Sequence, residues 1–231
     1  MANINENYLN LQGSYLFANI AKKVNEYQTA HPDADIIRLG IGDVTLPLAP
    51  AIIDAMSKAV QEMGKAETFR GYGPEQGYDF LRQAIVDGDY KPLDVDIAID
   101  EVFVSDGAKS DVGNIQELFS EDNIIAITDP VYPVYLDSNV MGGRTGEAVD
   151  GIFQKVVYLP TYAENNFSPE FPSERVDIVY LCSPNNPTGT VLSRARLAEW
   201  IKWCKDNDAI LMFDSAYEAF ISTEDTVKSI Y

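Results

Sequence analysis

The sequence predicts an α/β fold: a three-layer sandwich in which helices cover both faces of a mostly parallel central sheet. From residue 101 onward, short runs rich in valine, isoleucine, leucine and aromatic residues alternate with helical patterns. This alternation is typical of parallel strands that are connected by crossover helices. The predicted strands are 101–105, 124–128, 155–159, 176–182 and 209–214.

Helices are predicted before and between these strands. A polar N-terminal arm precedes a helical pattern that ends near Gln28, and a second amphipathic stretch covers 51–63. A glycine-rich loop over 70–77 then leads into a third helical pattern. Farther along the chain, Ser193 is placed to cap a helix that ends at Asp206.

Composition excludes several classes of protein. The chain has 17 Lys and Arg against 36 Asp and Glu, and a net charge of −19 would repel nucleic acid. Cys182 and Cys204 have no CxxC spacing and no neighbouring histidine, so neither a metal site nor a disulfide framework is indicated. Because the sequence has no signal peptide and no membrane-spanning run, we expect a cytoplasmic protein.

Polar and aromatic motifs follow four of the predicted strands. The carboxyl ends of parallel strands meet at one edge of a sheet, where ligands bind in open α/β folds. We therefore expect these four motifs to form one site. They are Ser105 to Lys109, Asp129 to Tyr135, Cys182 to Gly189 and Phe213 to Tyr217.

Each motif offers one kind of ligand contact. A glycine turn before Lys109 favours a phosphate, and Tyr132 in a proline-rich loop could lie over a flat ring. Asn186, Asp214 and Tyr217 add an amide, a carboxylate and a phenol. Taken singly, such residues are more often turns, packing aromatics or helix caps. Together they are the set of groups that binds pyridoxal 5′-phosphate (PLP).

The same motifs resemble a known enzyme family. Residues Ser183 to Gly189, with Asp214 and Tyr217 downstream, are similar to fold-type-I aminotransferases of class I/II, which depend on PLP. The resemblance to LL-diaminopimelate aminotransferases in particular extends over essentially the whole chain. The stretches that carry it are Asn5 to Leu9, Leu11 to Phe17, Arg38 to Val44, Phe69 to Tyr78, Ser105 to Lys109 and Asp129 to Tyr135.

The resemblance implies a cofactor role for several residues. Asp214 would pair with the ring nitrogen of PLP and keep it protonated, and Asn186 and Tyr217 would bind its 3′-oxygen. Tyr132 would stack on the ring, and Tyr72 would reach a phosphate across a homodimer interface. The cofactor-binding residues implied in this way are Tyr72, Ala108, Lys109, Tyr132, Asn186, Asp214 and Tyr217.

The resemblance also implies a reaction. An amino group would pass between LL-2,6-diaminopimelate and 2-oxoglutarate, giving tetrahydrodipicolinate and glutamate in lysine biosynthesis. Glu75 would recognise the distal ammonium of diaminopimelate. The substrate-binding residues implied in this way are Tyr15, Gly42, Glu75, Lys109, Tyr132 and Asn186.

A domain division follows from the same resemblance. Residues 1–48 would be an arm and part of a small domain, and residues 49–231 a large PLP-binding domain that lacks its C-terminal part. The family's Schiff-base lysine lies beyond the position of Asp214, and Lys228 is too close to Asp214 to replace it. We therefore expect this chain to be inactive alone, with no catalytic residue of its own.

The sequence is also compatible with other functions. The same cofactor site could serve racemisation, decarboxylation or β-elimination. A non-catalytic protein that binds PLP would also carry it. A nicotinamide-binding domain is less compatible, because the glycines at 71, 73 and 77 have the wrong spacing and follow no clear strand.

Overall fold

The computed structural model describes residues 2–11, 16–39 and 44–231. None of the helices within this described part is long and apolar enough to cross a membrane. The helices and strands, in chain order, are α1 (Leu16–Ala30), α2 (Pro50–Met63), α3 (Asp79–Ile85), α4 (Ala108–Asn114), β1 (Ile125–Asp129), α5 (Pro133–Met141), β2 (Ala148–Val149), β3 (Ile152–Phe153), β4 (Val156–Pro160), β5 (Ile178–Cys182), α6 (Arg194–Asp206) and β6 (Ile210–Asp214). Short 3₁₀ turns cover Glu6–Asn10, Lys91–Leu93, Ile99–Glu101, Ile115–Leu118, Ala163–Asn165 and Glu218–Phe220, and a π turn covers Val86–Tyr90.

The chain divides into two compact units. One unit is Gln12–Arg82, which includes α1 and α2. The other joins Met1–Leu11 to Gln83–Tyr231 and includes the whole sheet. All four motifs that follow predicted strands belong to this second unit. The predicted domain division at residues 48 and 49 stays a prediction.

The central sheet is parallel, as predicted. Its four strands lie in the order β4-β1-β5-β6, and each neighbouring pair is parallel. The register places Ile127 between Tyr158 and Tyr180, and it pairs Cys182 with Asp214 at the ends of β5 and β6. The carboxyl ends of β1, β5 and β6 therefore lie at one edge. Four predicted strands match the observed ones to within two residues at each end.

Side chains alternate between the two faces of the sheet and form two buried cores. On one face, Tyr180 packs with Tyr135 and Val140 of α5. On the other face, Val179 and Leu181 pack with α6. The fully buried residues that α6 contributes to this second core are Leu197 and Trp200, at 2% and 0% exposure, and Cys204 is buried beside them. Helices therefore cover both faces, and the predicted three-layer arrangement is confirmed.

The predicted helices are present, and one cap is confirmed in detail. The Oγ of Ser193 accepts a hydrogen bond from the backbone N–H of Arg196 at 3.2 Å, and α6 begins at the next residue after Ser193. This bond satisfies one of the backbone donors that a helix leaves unpaired at its start. Helix α4 begins at Ala108, directly after the glycine turn that the sequence predicts before Lys109.

The predicted strand over 101–105 is wrong. Glu101 ends a 3₁₀ turn, and the following residues pair with no strand among those that the structure describes. Val102 is buried in a small cluster with Val86 and Ile97, whereas Phe103 is 68% exposed. A run of apolar residues predicts extended backbone, but a strand also needs a hydrogen-bonded neighbour, which the local sequence does not reveal.

The prediction of a loop through Tyr135 also needs correction. Helix α5 begins at Pro133, so Pro133 is its first residue and Tyr135 lies in its first turn. Proline suits this position because it lacks the N–H that the first turn of a helix leaves unpaired. The early start of α5 places Tyr135 on a rigid element beside the sheet.

Candidate functional site

A cleft lies at the carboxyl edge of the sheet, where the four motifs meet. Its volume is about 160 Å³, and its walls come from α4, from the start of α5, and from the loops after β5 and β6. Of the seven cofactor-binding residues predicted from the sequence, six line this one cleft: Ala108, Lys109, Tyr132, Asn186, Asp214 and Tyr217.

Asp214 is held by hydrogen bonds on both of its carboxylate oxygens. Its Oδ2 accepts from the hydroxyl of Tyr135 at 2.6 Å, and its Oδ1 accepts from the backbone N–H of Ala216 at 3.0 Å. Because Asp214 is the last residue of β6 and pairs with Cys182, its position along the sheet is fixed as well. The side chain is half-buried and lines the cleft, so a ligand can still reach it.

Asn186 and Tyr217 approach each other across the cleft. The Nδ2 of Asn186 lies 3.2 Å from the phenol oxygen of Tyr217 and donates to it. The loop that carries Asn186 is fixed at its start, where Ser183 Oγ accepts from the N–H of Leu192 at 3.0 Å. Its end turns at Gly189, which has φ +70°, a conformation that glycine adopts without strain. The amide and the phenol can therefore act on one ligand atom.

The glycine turn before α4 has the shape that the sequence predicts. Gly107 has φ +135°, which a residue with a side chain rarely adopts, and its N–H donates to Ser105 Oγ at 3.1 Å. Helix α4 starts immediately afterwards and carries Lys109 into the lining of the cleft. Burial raises the pKa of the Asp137 carboxyl, and the positive charge of Lys109 partly opposes this shift.

Two side chains of the cleft that carry a titratable group, Tyr135 and Cys182, are not among the site residues that the sequence predicts. Tyr135 is 2% exposed, and burial raises the pKa of its hydroxyl far above the ordinary value, so that it keeps its proton. Burial also raises the pKa of the Cys182 thiol, which is directed toward the carbonyl of Pro184. Alternation along β5 places Cys182 on the same face as Tyr180, and this pattern could have identified it.

A second cavity of about 380 Å³ adjoins the cleft. Together the two cavities fall in the usual range of small-molecule sites, roughly 300–1,000 Å³. Met212, Phe213 and Ser215 line only the larger one. The residues that line both cavities are Ala108, Val112, Tyr135, Asp214 and Ala216.

Four predicted site residues lie elsewhere or outside the described part of the chain. Tyr72 and Glu75 belong to the unit Gln12–Arg82 and are exposed, in a loop where the N–H of Gly77 donates to the carbonyl of Pro74 at 2.9 Å. Tyr15 and Gly42 are not among the described residues. The predicted roles of these four residues therefore stay predictions.

Comparison with known proteins identifies similar sequences along nearly the whole chain. The family model described as "Aminotransferase class I and II" matches residues 34–230. The "LL-diaminopimelate aminotransferase" of Methanosphaera stadtmanae is 58% identical over 99% of the chain. The protein of the same name from Agathobacter rectalis is 60% identical over 100% of the chain. The chain spans 56% and 58% of the lengths of these two relatives.

Solved structures resemble this fold closely. The L,L-diaminopimelate aminotransferase from Chlamydomonas reinhardtii matches with a TM-score of 0.91 and 42% sequence identity, over 100% of this chain and 56% of that one. An aspartate aminotransferase from Thermotoga maritima matches with a TM-score of 0.78 and 23% identity, over 98% of this chain and 57% of that one. The second similarity, at lower identity, concerns the fold alone.

Proposed function

Because the chain belongs to the class I and II aminotransferase family, we propose that its cleft is the cofactor site of a PLP-dependent aminotransferase that acts on LL-diaminopimelate. One observation carries this proposal. Six residues from four separate segments, each predicted from the sequence as a cofactor contact, line one cleft at the carboxyl edge of the sheet. Parallel α/β sheets bind their ligands at this edge.

The groups in the cleft fit the chemistry of PLP. The carboxylate of Asp214 would hold a proton at the ring nitrogen, and Asn186 and Tyr217 would donate to the 3′-oxygen. Lys109 and the start of α4 would bind the phosphate, and the ring of Tyr132 would lie against the cofactor. When bound, PLP supplies an electron sink that stabilises negative charge on the carbon that bears the amino group.

The proposed substrates are LL-2,6-diaminopimelate and 2-oxoglutarate, with tetrahydrodipicolinate and glutamate as products. Support comes from the similarity to two proteins with this enzyme name and to one solved structure with the same name. Glu75 would recognise the distal ammonium of diaminopimelate, because a carboxylate pairs well with a cation. The remaining proposed substrate contacts are Tyr15, Gly42, Lys109, Tyr132 and Asn186.

A homodimer in the cytoplasm is part of the same proposal. Tyr72 would contribute its phenol to the cofactor phosphate of the partner subunit. Tyr72 is fully exposed, as a side chain that meets its ligand only in a dimer should be. Sedimentation of the purified protein, with and without PLP, would measure the oligomeric state.

The proposed activity is tested on the protein expressed from the complete reading frame that encodes these residues. We expect PLP to bind with a change in its absorption spectrum, and glutamate to form when LL-diaminopimelate and 2-oxoglutarate are both present. Reactions that lack either substrate are the controls. Racemised, decarboxylated or eliminated products from diaminopimelate, without glutamate, would favour another PLP reaction. PLP binding without any product would favour a non-catalytic protein.

Tyr217→Phe is expected to weaken PLP binding by about two- to tenfold, the usual effect of losing one neutral hydrogen bond. The substitution removes the phenol oxygen that accepts from Asn186 and leaves the ring in place. The equilibrium dissociation constant for PLP is the quantity to measure. Tyr162→Phe is a matched control, because Tyr162 is also an exposed tyrosine but does not line the cleft. Equal effects of the two substitutions would contradict the proposed role of Tyr217.

A further inference from the structure

Two side chains that line the cleft, Tyr135 and Asp214, form a hydrogen bond that the proposed function does not use. The hydroxyl of Tyr135 donates to Oδ2 of Asp214 at 2.6 Å, although the two residues lie 79 positions apart in the sequence. The tyrosine is 2% exposed, so the donor side of this bond has little contact with solvent. A hydrogen bond donated to a carboxylate stabilises its charged form and fixes its orientation.

The ring of Tyr135 is held in place from two sides. It stacks on Tyr180 with ring centroids 5.4 Å apart and planes 17° apart, and Tyr132 meets it edge-on at 5.8 Å. Because α5 fixes the backbone of Tyr135 and the two rings restrict its rotation, the hydroxyl oxygen is held within hydrogen-bond distance of the Asp214 carboxylate. The thiol of Cys182 also interacts with this hydroxyl.

Tyr180 is fixed in turn by buried amides. Its hydroxyl lies 2.6 Å from Nε2 of Gln116 and 3.1 Å from Nδ2 of Asn139, and both amides donate to it. Gln116 is itself held by Arg144, whose guanidinium donates to the side-chain oxygen of Gln116 at 2.9 Å. Arg144 is 3% exposed. A continuous set of contacts thus connects the guanidinium of Arg144 to the carboxylate of Asp214, which lines the cleft.

We propose that Tyr135, supported by Tyr180, is a positioning residue that acts through Asp214 and sets how strongly that carboxylate binds the ring nitrogen of the cofactor. This inference rests on the proposed function. Tyr135 donates to one oxygen of Asp214, and Ala216 donates to the other. Each carboxylate oxygen can accept more than one bond, so Asp214 stays able to bind a ligand cation. Tyr135 keeps its proton because burial raises its pKa, and it can therefore only donate to the carboxylate.

The test is a double-mutant cycle on the dissociation constant for PLP, with the protein from the complete reading frame. Tyr135→Phe is expected to weaken PLP binding by about tenfold, which is the lower end for a hydrogen bond to a charged group. Asp214→Ala, which removes the acceptor of the Tyr135 hydroxyl, should weaken PLP binding further. Because Tyr135 acts through Asp214, the double variant should bind PLP within about twofold of Asp214→Ala alone, the non-additivity expected of coupled residues.

A spectroscopic readout separates positioning from packing. With PLP that carries an isotope label at its ring nitrogen, the nitrogen resonance of bound cofactor should move in Tyr135→Phe toward the value found in Asp214→Asn. Tyr158→Phe is the matched control, because its hydroxyl accepts from the N–H of Phe153 at 3.2 Å in the same core but does not line the cleft. Its dissociation constant and resonance should equal those of the unsubstituted protein. Thermal unfolding without PLP establishes that each variant is folded.

Two results would overturn the inference. A tenfold loss of PLP affinity from Tyr135→Phe that is equally large in the Asp214→Ala background would mean that Tyr135 acts on PLP without Asp214. An unchanged dissociation constant and resonance in Tyr135→Phe would mean that the hydrogen bond does not matter to the cofactor. If the unsubstituted protein bound no PLP, the proposed function itself would fail. That outcome is distinguishable from a failure of the inference about Tyr135, because it is observed on the unsubstituted protein alone.

Discussion

Asp214→Ala is expected to lower the transamination rate of the protein from the complete reading frame by about a hundred- to a thousandfold, the usual loss when one preorganised electrostatic group is removed from an active site. The substitution deletes the only side chain that, in the proposed function, holds a proton at the ring nitrogen. It also leaves the buried hydroxyl of Tyr135 without its acceptor at 2.6 Å. The initial rate of glutamate formation at saturating PLP is the measurement.

Asp177→Ala is the matched control for Asp214→Ala. Asp177 precedes β5, at the opposite end of the sheet from the cleft, and its Oδ2 accepts from the N–H of Ile124 at 2.8 Å. Loss of this carboxylate should reduce the free energy of unfolding by about 1–3 kcal/mol, because a partly buried backbone donor loses its acceptor. The rate of the folded protein should stay unchanged. A rate for Asp214→Ala within tenfold of the control would contradict the proposed role of Asp214.

Asp214→Asn distinguishes charge from shape at the same position. Asparagine keeps the size of the side chain and one oxygen that can accept from Tyr135, but it carries no negative charge. If charge at the ring nitrogen is what matters, Asp214→Asn should lose nearly as much rate as Asp214→Ala. A nearly normal rate in Asp214→Asn would instead mean that orientation alone is required, and it would weaken the case for an electron-sink role of the cofactor in this cleft.

Much of the fold could be predicted because its signals are local. The four strands of the central sheet appear in the sequence as apolar runs, and α6 is identified by Ser193 at its start and its hydrophobic spacing. The predicted strand over 101–105 fails for a non-local reason, since its residues find no hydrogen-bonded neighbour among the described strands. The hairpin of β2 and β3 was not predicted, because strands of two residues leave almost no pattern.

The cleft could be predicted in outline because its residues follow strands whose ends must meet. Tyr132, Asn186 and Asp214 are far apart in the sequence, yet parallel topology brings them together. Lys109 reaches the cleft differently, because it lies on α4, before the first strand that the structure describes. The contact of Tyr135 with Asp214 could not be predicted in this way. It depends on α5 beginning at Pro133, and prolines at 130 and 133 suggested a loop instead. Two prolines in four residues predict interrupted structure, whereas a proline at the first position of a helix is favourable.

Trp200→Ala is expected to lower the free energy of unfolding by about 3–5 kcal/mol, the usual effect of removing a large buried aromatic side chain. Trp200 is fully buried on the face of the sheet opposite Asp214, where it packs with Leu197 and meets the ring of Phe171 at 4.7 Å. Alanine would leave a cavity there that the surrounding strand and helix cannot fill. Chemical denaturation followed by circular dichroism measures the loss.

Trp200→Phe should lower the free energy of unfolding much less than Trp200→Ala does. The indole Nε1–H of Trp200 is buried and has no hydrogen-bond partner among the residues that the structure describes. Phenylalanine removes this unpaired donor. A buried unsatisfied donor costs about 1–3 kcal/mol of stability, so its removal offsets part of the stability lost with the smaller side chain. Trp203→Ala is the control, because Trp203 belongs to the same cluster but is only half-buried. A larger loss of unfolding free energy from Trp203→Ala than from Trp200→Ala would mean that Trp200 is not the centre of the core under α6.

The PLP affinity of the folded Trp200 variants should not change, since neither tryptophan lines the cleft.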